Sequence, residues 1–331
     1  MEKLIEIKNS NNSIYVYWIL TDFCNQHCTY CPPSLNNATY ANKPNFITDA
    51  DIDRFIDKLI DTKKKTQKKL IVGIAGGEPT THNKFPDIIK RLCDYASIEV
   101  VTNGTRSVKW WSELPALPDL TVLSLHPEYY DAKKIKINEL CDFLTENNKV
   151  IQFNLMCHPA MWDKTMTMFN DIAEKYKQFI IPKVIQNMDN SGVMNNQEKK
   201  IYNYSVEQLN FIKNHQYKIH TTDKTRKASI SIYADSTSKK CNPNALMADG
   251  QHYFKNWKCS AGSEGISVSP EGKILAGICG AKQLGTLQTT FEFLDDYLNC
   301  PKVNCACPGD IVLNKYDPTL VRQNTSDSKI E

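Results

Sequence analysis

Three thiols, Cys24, Cys28 and Cys31, fall within eight residues in the spacing C-x3-C-x2-C. Thiolates are soft ligands that select zinc, Cu(I) and iron–sulfur centres. A structural zinc ion closes its tetrahedron with four protein ligands, and a cubane cluster takes four Cys. No fourth ligand stands close by in the sequence. The pattern therefore fits a cluster that leaves one iron to an exogenous group, and such an iron is a reaction site. A zinc knuckle or a group of buried thiols is the other reading of the same residues. Gly76-Gly77-Glu78-Pro79 follows the apolar run Leu70–Ile74. Glycines ending a strand let the backbone approach a ligand closely. Alone, this would be a turn before a helix, with Glu78 a residue held extended by the next proline.

The thiol motif, with Tyr30 just before its last Cys and GGEP following, resembles the radical S-adenosylmethionine (SAM) superfamily. Ile98–Thr102, ending in Asn103-Gly104-Thr105, and Leu120–His126 resemble the ends of that family's third and fourth barrel strands. The resemblance implies a [4Fe-4S] cluster on Cys24, Cys28 and Cys31 and SAM on its open iron. Gly76, Gly77, Glu78 and Pro79 would meet the methionine amino group, with Asn103 near by. Tyr30 would sit by the adenine, and Ser124 and Asn154 by the ribose. One-electron cleavage of SAM would give a 5′-deoxyadenosyl radical that takes hydrogen from a substrate, with flavodoxin or ferredoxin as electron donor. His126 and His158 are candidate substrate contacts at the barrel mouth, or ordinary surface histidines. Cys157 is a candidate hydrogen-atom donor. Strand alternation counted from Asn154 would instead turn Cys157 toward the outer helices.

A second set of thiols follows: Cys259, Cys279, Cys300, Cys305 and Cys307. Ser269-Pro270-Glu271-Gly272, between short alternating strands, predicts a hairpin that brings Cys259 and Cys279 to one end. The set resembles the SPASM and twitch extensions of radical SAM enzymes, and a single auxiliary [4Fe-4S] cluster of twitch type fits best. Which four thiols bind it is open, and a small zinc ribbon is the other reading. Cys93 and Cys141 continue the apolar stripes of helices and are expected in the core. Cys241 lies outside the pattern.

The positioning elements follow from periodicity. Strands are expected at Ile14–Leu20, Leu70–Ile74, Ile98–Thr102, Leu120–His126, Val150–His158 and Phe179–Ile185, with helices between them, one of them near Asp163–Lys177. Six strand–helix units predict a partial (β/α)6 parallel barrel with its chemistry at the strand C-termini. A small Cys-rich α+β domain follows. Residues 1–215 are expected as the barrel, 216–310 as the auxiliary domain and 311–331 as a polar tail. Asn187–Lys200 reads as a loop and Ser205–Lys213 as a helix. Tyr217–His220 and Ser229–Tyr233 read as a hairpin.

The chain has 331 residues, 41% of them hydrophobic, and a net charge of +3, which gives no case for nucleic acid or an anionic membrane as partner. The first residues hold no apolar signal-peptide core, and no apolar run reaches membrane-spanning length. Twelve Cys in a cytoplasmic chain favour metal ligation over disulfides. The expected function is a radical SAM enzyme acting on a small polar metabolite of sugar, polyol or nucleotide type. A maturase of ribosomal peptides is the alternative, since no peptide-recognition segment precedes the first strand. From a different class, a non-catalytic iron–sulfur electron carrier or sensor would need a fourth protein ligand and no GGEP turn.

Overall fold

The structure is a computed structural model. It describes every residue except 1, 10, 11, 40, 44–46, 132–135, 186–203, 216, 218–228, 306 and 321–331, and the side chains of 33, 244, 245 and 248. The expected loop Asn187–Lys200 and most of Tyr217–His220 lie outside the described residues.

In chain order the strands are β1 (Leu4–Lys8), β2 (Ser13–Thr21), β3 (Lys69–Gly76), β4 (Ala96–Thr102), β5 (Leu120–Leu125), β6 (Val150–Cys157), β7 (Ile180–Val184), β8 (Ile230–Tyr233), β9 (Ser238–Lys240), β10 (Lys258–Cys259), β11 (Gly265–Val268), β12 (Lys273–Ala276), β13 (Gln283–Thr286), β14 (Leu298–Asn299) and β15 (Lys315–Tyr316). The chain divides into two compact units. One comprises Trp18–Asp49 and Val72–Thr225, the other Met1–Tyr17, Ala50–Ile71 and Arg226–Glu331.

The first unit takes β2 from Trp18 and β3 from Val72, and its strands run side by side from there to β7. β4, β5, β6 and β7 pair in parallel. This is the open, partial α/β barrel expected, and its strands match the expected runs to within a residue or two. Helix α1 (Asp49–Thr66) falls, from Ala50 on, in the other unit, while α2 (Phe85–Leu92), α3 (Val108–Ser112), α4 (Ile137–Glu146), α5 (Trp162–Asp171), α6 (Glu174–Lys177) and α7 (Val206–Asn214) connect or follow the strands of the first. Along β6, Ile151, Phe153, Leu155 and Cys157 are fully buried and join a core with Leu140, Leu144 and Met168 of α4 and α5. Gln152, Asn154 and Met156 are half-buried on the opposite face, as a period of two requires.

Two helical expectations shift. The helix expected near Asp163–Lys177 is split into α5 and α6. Asn138 spans the break: its Nδ2 donates to Asp171 O at 2.7 Å and its Oδ1 accepts from Ala173 N at 2.9 Å. A side chain thus supplies the partners that a continuous helix would have supplied. Cys93 is exposed, not core, because α2 stops at Leu92 and Cys93 is its C-cap. Cys141 is fully buried, as expected. α7 begins at a capping box in which Ser205 and Gln208 satisfy each other's backbone N–H.

In the second unit a six-stranded sheet has the order β14-β10-β15-β1-β8-β9. β8 pairs antiparallel with β1 and β9. β11, β12 and β13 form an antiparallel meander whose first turn is the predicted Ser269–Gly272 hairpin. Residues 311–316 continue this unit: Ile311 is fully buried, Leu313 is 4% exposed, and β15 pairs with both β1 and β10. The N-terminal strand therefore groups with the C-terminal third, and not with the barrel segment expected over 1–215.

Candidate functional site

The three-thiol loop follows β2. Two backbone bonds tie it to the glycine turn after β3. Gly77 N donates to Thr21 O and Glu78 N to Phe23 O, each at 2.7 Å. The contact needs glycine. A Cβ on Gly77 would lie 2.1 Å from Phe23 O, and one on Gly76, at φ +142°, would lie 2.3 Å from Thr21 O.

Glu78 is fully buried. Its carboxylate accepts from Thr80 N at 3.0 Å, Thr80 Oγ1 at 2.5 Å, Thr102 Oγ1 at 2.8 Å and Asn103 N at 2.7 Å. Burial raises its pKa, and the bonds from Asn103, Thr80 and Thr102 oppose that rise. The carboxylate is thus spent on joining the glycine turn to the end of β4, and Pro79 is buried behind it. Asn103 carries the connection onward. Its Nδ2 donates to Asn25 Oδ1 at 2.8 Å and lies 3.9 Å from Cys24 Sγ.

Cys28 is 5% exposed, and Cys24 and Cys31 are half-buried. Burial pushes the Cys28 thiol up to about 12 and Cys31 up to about 11, and negative charge on neighbouring thiols pushes both the same way. Burial also raises Cys24. Three thiolates in this loop need a cationic centre among them, and a bound metal inverts the local pKa logic in that sense. Among the described residues no three His, Cys, Asp or Glu side chains are gathered as ligands of a single ion. Three soft donors, one fewer than a cubane's irons, fit a [4Fe-4S] group with one iron left to another ligand.

Tyr30 is 8% exposed and packs with Cys28, Cys31, Met156 and Ile185. Its hydroxyl lies 2.8 Å from His126 Nδ1, its ring stacks on His126 at 5.9 Å, and it meets His158 at 5.8 Å. Both histidines thus flank Tyr30. Burial pulls His126 down to about 4, against the opposing effect of Glu128. Glu128 in turn accepts from Thr29 N at 2.8 Å. Ser124 and Asn154 stand opposite each other in the β5–β6 register. Cys157 is fully buried on the helix side of β6, which removes it as a hydrogen-atom donor at the mouth.

Lys183 lies on β7. It pairs in register with Met156 and so shares the face of Asn154. Burial lowers its pKa. A lone lysine in Ile-Ile-Pro-Lys-Val reads as a solvated strand end, so no sequence signal marks it.

In the second unit, Cys259, Cys279, Cys300 and Cys305 line one cavity with Phe254, Asp310 and Lys315. Cys307 is not among the lining residues. Its backbone carbonyl caps the helical turn Pro308–Ile311, accepting from Asp310 N and Ile311 N at 3.0 Å. Burial pushes Cys305 up to about 12 and raises Cys259 and Cys279. Burial opposes the charge on Lys315, but Cys259, Cys305, Asp310 and Cys300 together leave its pKa above the usual lysine value. Four soft donors around one cavity fit a fully ligated cubane.

Residues 18–169 match the family described as the Radical SAM superfamily. The chain carries a radical SAM domain, and the cofactors of that superfamily are a [4Fe-4S] cluster and SAM. A GTP 3',8-cyclase from Vibrio atlanticus is 34% identical over 98 residues, which is 29% of this chain and 28% of that protein. One from Pectobacterium atrosepticum is 31% identical over 126 residues, 36% of each. The matched stretch is thus about a third of these relatives' length. Two solved structures share the fold. A tagged form of anSMEcpe with bound AdoMet aligns at a TM-score of 0.51 and 15% identity, over 84% of this chain and 78% of that one. Streptococcus suis SuiB aligns at 0.51 and 14%, over 86% and 66%. Among the described residues no helix is long and apolar enough to cross a membrane.

Proposed function

We propose that the chain is a radical SAM enzyme acting on a small polar, anionic metabolite. The observation that carries the reading is the backbone lock between the three-thiol loop and the glycine turn at the strand C-termini. Cys24, Cys28 and Cys31 would hold a [4Fe-4S] cluster, which together with SAM would supply radical hydrogen abstraction from a substrate. The protein's part is to orient and to exclude. Glu78 fixes the turn whose backbone meets the methionine end. Asn103 holds the thiol loop. Tyr30, its ring buried between His126 and His158, would meet the adenine through its backbone. Ser124 and Asn154 offer adjacent polar groups to the ribose.

The substrate reading rests on two supports. Relatives 34% and 31% identical over 98 and 126 residues are named for a reaction of GTP, a small phosphate-bearing molecule. Lys183 puts a cation on the face shared by Asn154, and among the described residues no carboxylate pairs with it. We assign the auxiliary cluster to Cys259, Cys279, Cys300 and Cys305. Four protein thiols leave no iron open, which favours an electron-transfer or structural task over substrate ligation.

The test is anaerobic reconstitution with iron and sulfide, then dithionite and SAM. 5′-Deoxyadenosine is expected from the wild type and not from the Cys24→Ala/Cys28→Ala/Cys31→Ala variant; cleavage by that variant would overturn the assignment. Deuterium transfer into 5′-deoxyadenosine from labelled nucleotides and sugar phosphates is expected. Transfer from a peptide alone would promote the maturase reading.

A further inference from the structure

Lys315 is 2% exposed on β15 at the wall of the four-thiol cavity. It is the direct cross-strand partner of Cys259 on β10. Directly opposed residues of an antiparallel pair project to the same face, so the ammonium and the first thiol point the same way. Its Nζ donates to Asp310 O at 2.5 Å and lies 4.8 Å above the Phe254 ring. Among the described residues no carboxylate stands within ion-pair distance of it. The nearby Asp310 carboxylate is engaged elsewhere. It accepts from Ile278 N at 2.9 Å and Cys279 N at 2.6 Å, and it presses on Gly277, where a Cβ would lie 3.1 Å away. Asp310 thus binds the Cys279 turn with its side chain and Lys315 with its backbone.

A buried ammonium without an anionic partner is costly. The group that relieves this cost must be negative and must occupy the cavity. Four thiolates around an iron–sulfur core have net negative charge, and that charge grows by one when one electron is added. We propose that Lys315 is the fixed counter-charge of the auxiliary centre, holding its reduction potential up so that it accepts an electron. This rests on the assignment of the auxiliary cluster above. Lys315 donates no proton in the step. The electron comes from dithionite in the test and from the substrate radical in turnover. No bond is made or broken, and the ammonium stays charged in both states. Net charge, hydrogen bonding and exposure are the levers that set cluster potentials, and a charge acts strongly across a low-dielectric interior.

The experiment is a redox titration, followed by EPR, of the centre whose spectrum does not respond to SAM, in reconstituted full-length protein. Lys315→Met and Lys315→Arg are compared with the wild type, with iron counted in each. Lys315→Met is expected to shift the oxidised-to-reduced ratio at fixed potential at least about tenfold toward oxidised, which is about 59 mV lower for a one-electron couple. Lys315→Arg, which keeps the charge, is expected to recover most of the shift. Loss of the auxiliary iron in Lys315→Met with retention in Lys315→Arg also supports the charge role. An unchanged potential in Lys315→Met, or loss of iron from both variants alike, overturns it. Zinc or no metal at these thiols in the wild type would be a failure of the cluster assignment itself, and the metal analysis separates the two.

Discussion

Ser124 and Asn154 face each other across the parallel β5–β6 register, on the face opposite the helix-packed Leu155 and Cys157. Two short polar side chains side by side can grip the two hydroxyls of one ribose. Ser124→Ala or Asn154→Ala is therefore expected to weaken SAM binding about two- to tenfold, the range of one hydrogen bond. Because the two are neighbours, their losses should not add. Equilibrium binding of SAM to reconstituted protein measures this, and unchanged affinity in both variants would remove them from the site.

Gly77→Ala should cost more than its size suggests. The added methyl would meet the backbone oxygens of Phe23 at 2.1 Å and Leu35 at 2.8 Å, and backbone cannot swing aside as a side chain can. Overpacking of this kind costs about 1–3 kcal/mol. The expected result is a lower Tm with loss of iron from the first thiol set while the second keeps its own. Full retention of both would show that the lock is loose.

Much of this site is legible in the sequence, because its chemistry is written locally. Cys24, Cys28 and Cys31 are joined by short covalent spans, and Gly76-Gly77 sits where an apolar strand ends. What was hidden depends on distant partners. β1 takes its place only beside β8 and β15, and five residues of alternating pattern cannot announce that. The spacing of Cys305 and Cys307 cannot say which of them enters the cavity. The folded cavity separates them, with Cys305 and not Cys307 in its lining. Burial of Lys183 and Lys315 is a tertiary fact about a residue type that is almost always exposed.

His126 links the site to pH. Its folded pKa is depressed by burial to about 4, below the ordinary histidine value of about 6.5. A depressed value means that the unfolded chain binds the proton more readily. The stability contributed by neutral His126 is present above about pH 6.5 and is lost as pH falls from there toward about 4. Thermal melts of wild type and His126→Gln over this window should diverge, with the variant's profile flatter. Parallel profiles would show that His126 is solvated.

Lys183→Met tests the anionic-substrate reading. For whichever nucleotide or sugar phosphate gives deuterium transfer, KM should rise at least about tenfold, since a hydrogen bond to a charged group is lost. Lys183→Arg should recover part of it. Pyrophosphate should inhibit the wild type and inhibit the Met variant less. Equal inhibition of both would remove Lys183 from substrate binding.

The position of β1 between β8 and β15 has a consequence during synthesis. Both neighbours lie far downstream. At about 5–20 residues per second, translation leaves β1 waiting on the order of tens of seconds before either emerges. Through that interval Leu4, Ile5 and Ile7 form a sticky ribbon with two open edges, while the whole intervening unit leaves the ribosome and folds. Yield of the protein in a cell is therefore expected to rise with a holdase chaperone or a cooler growth temperature. This sensitivity disappears once Tyr316 has taken its place.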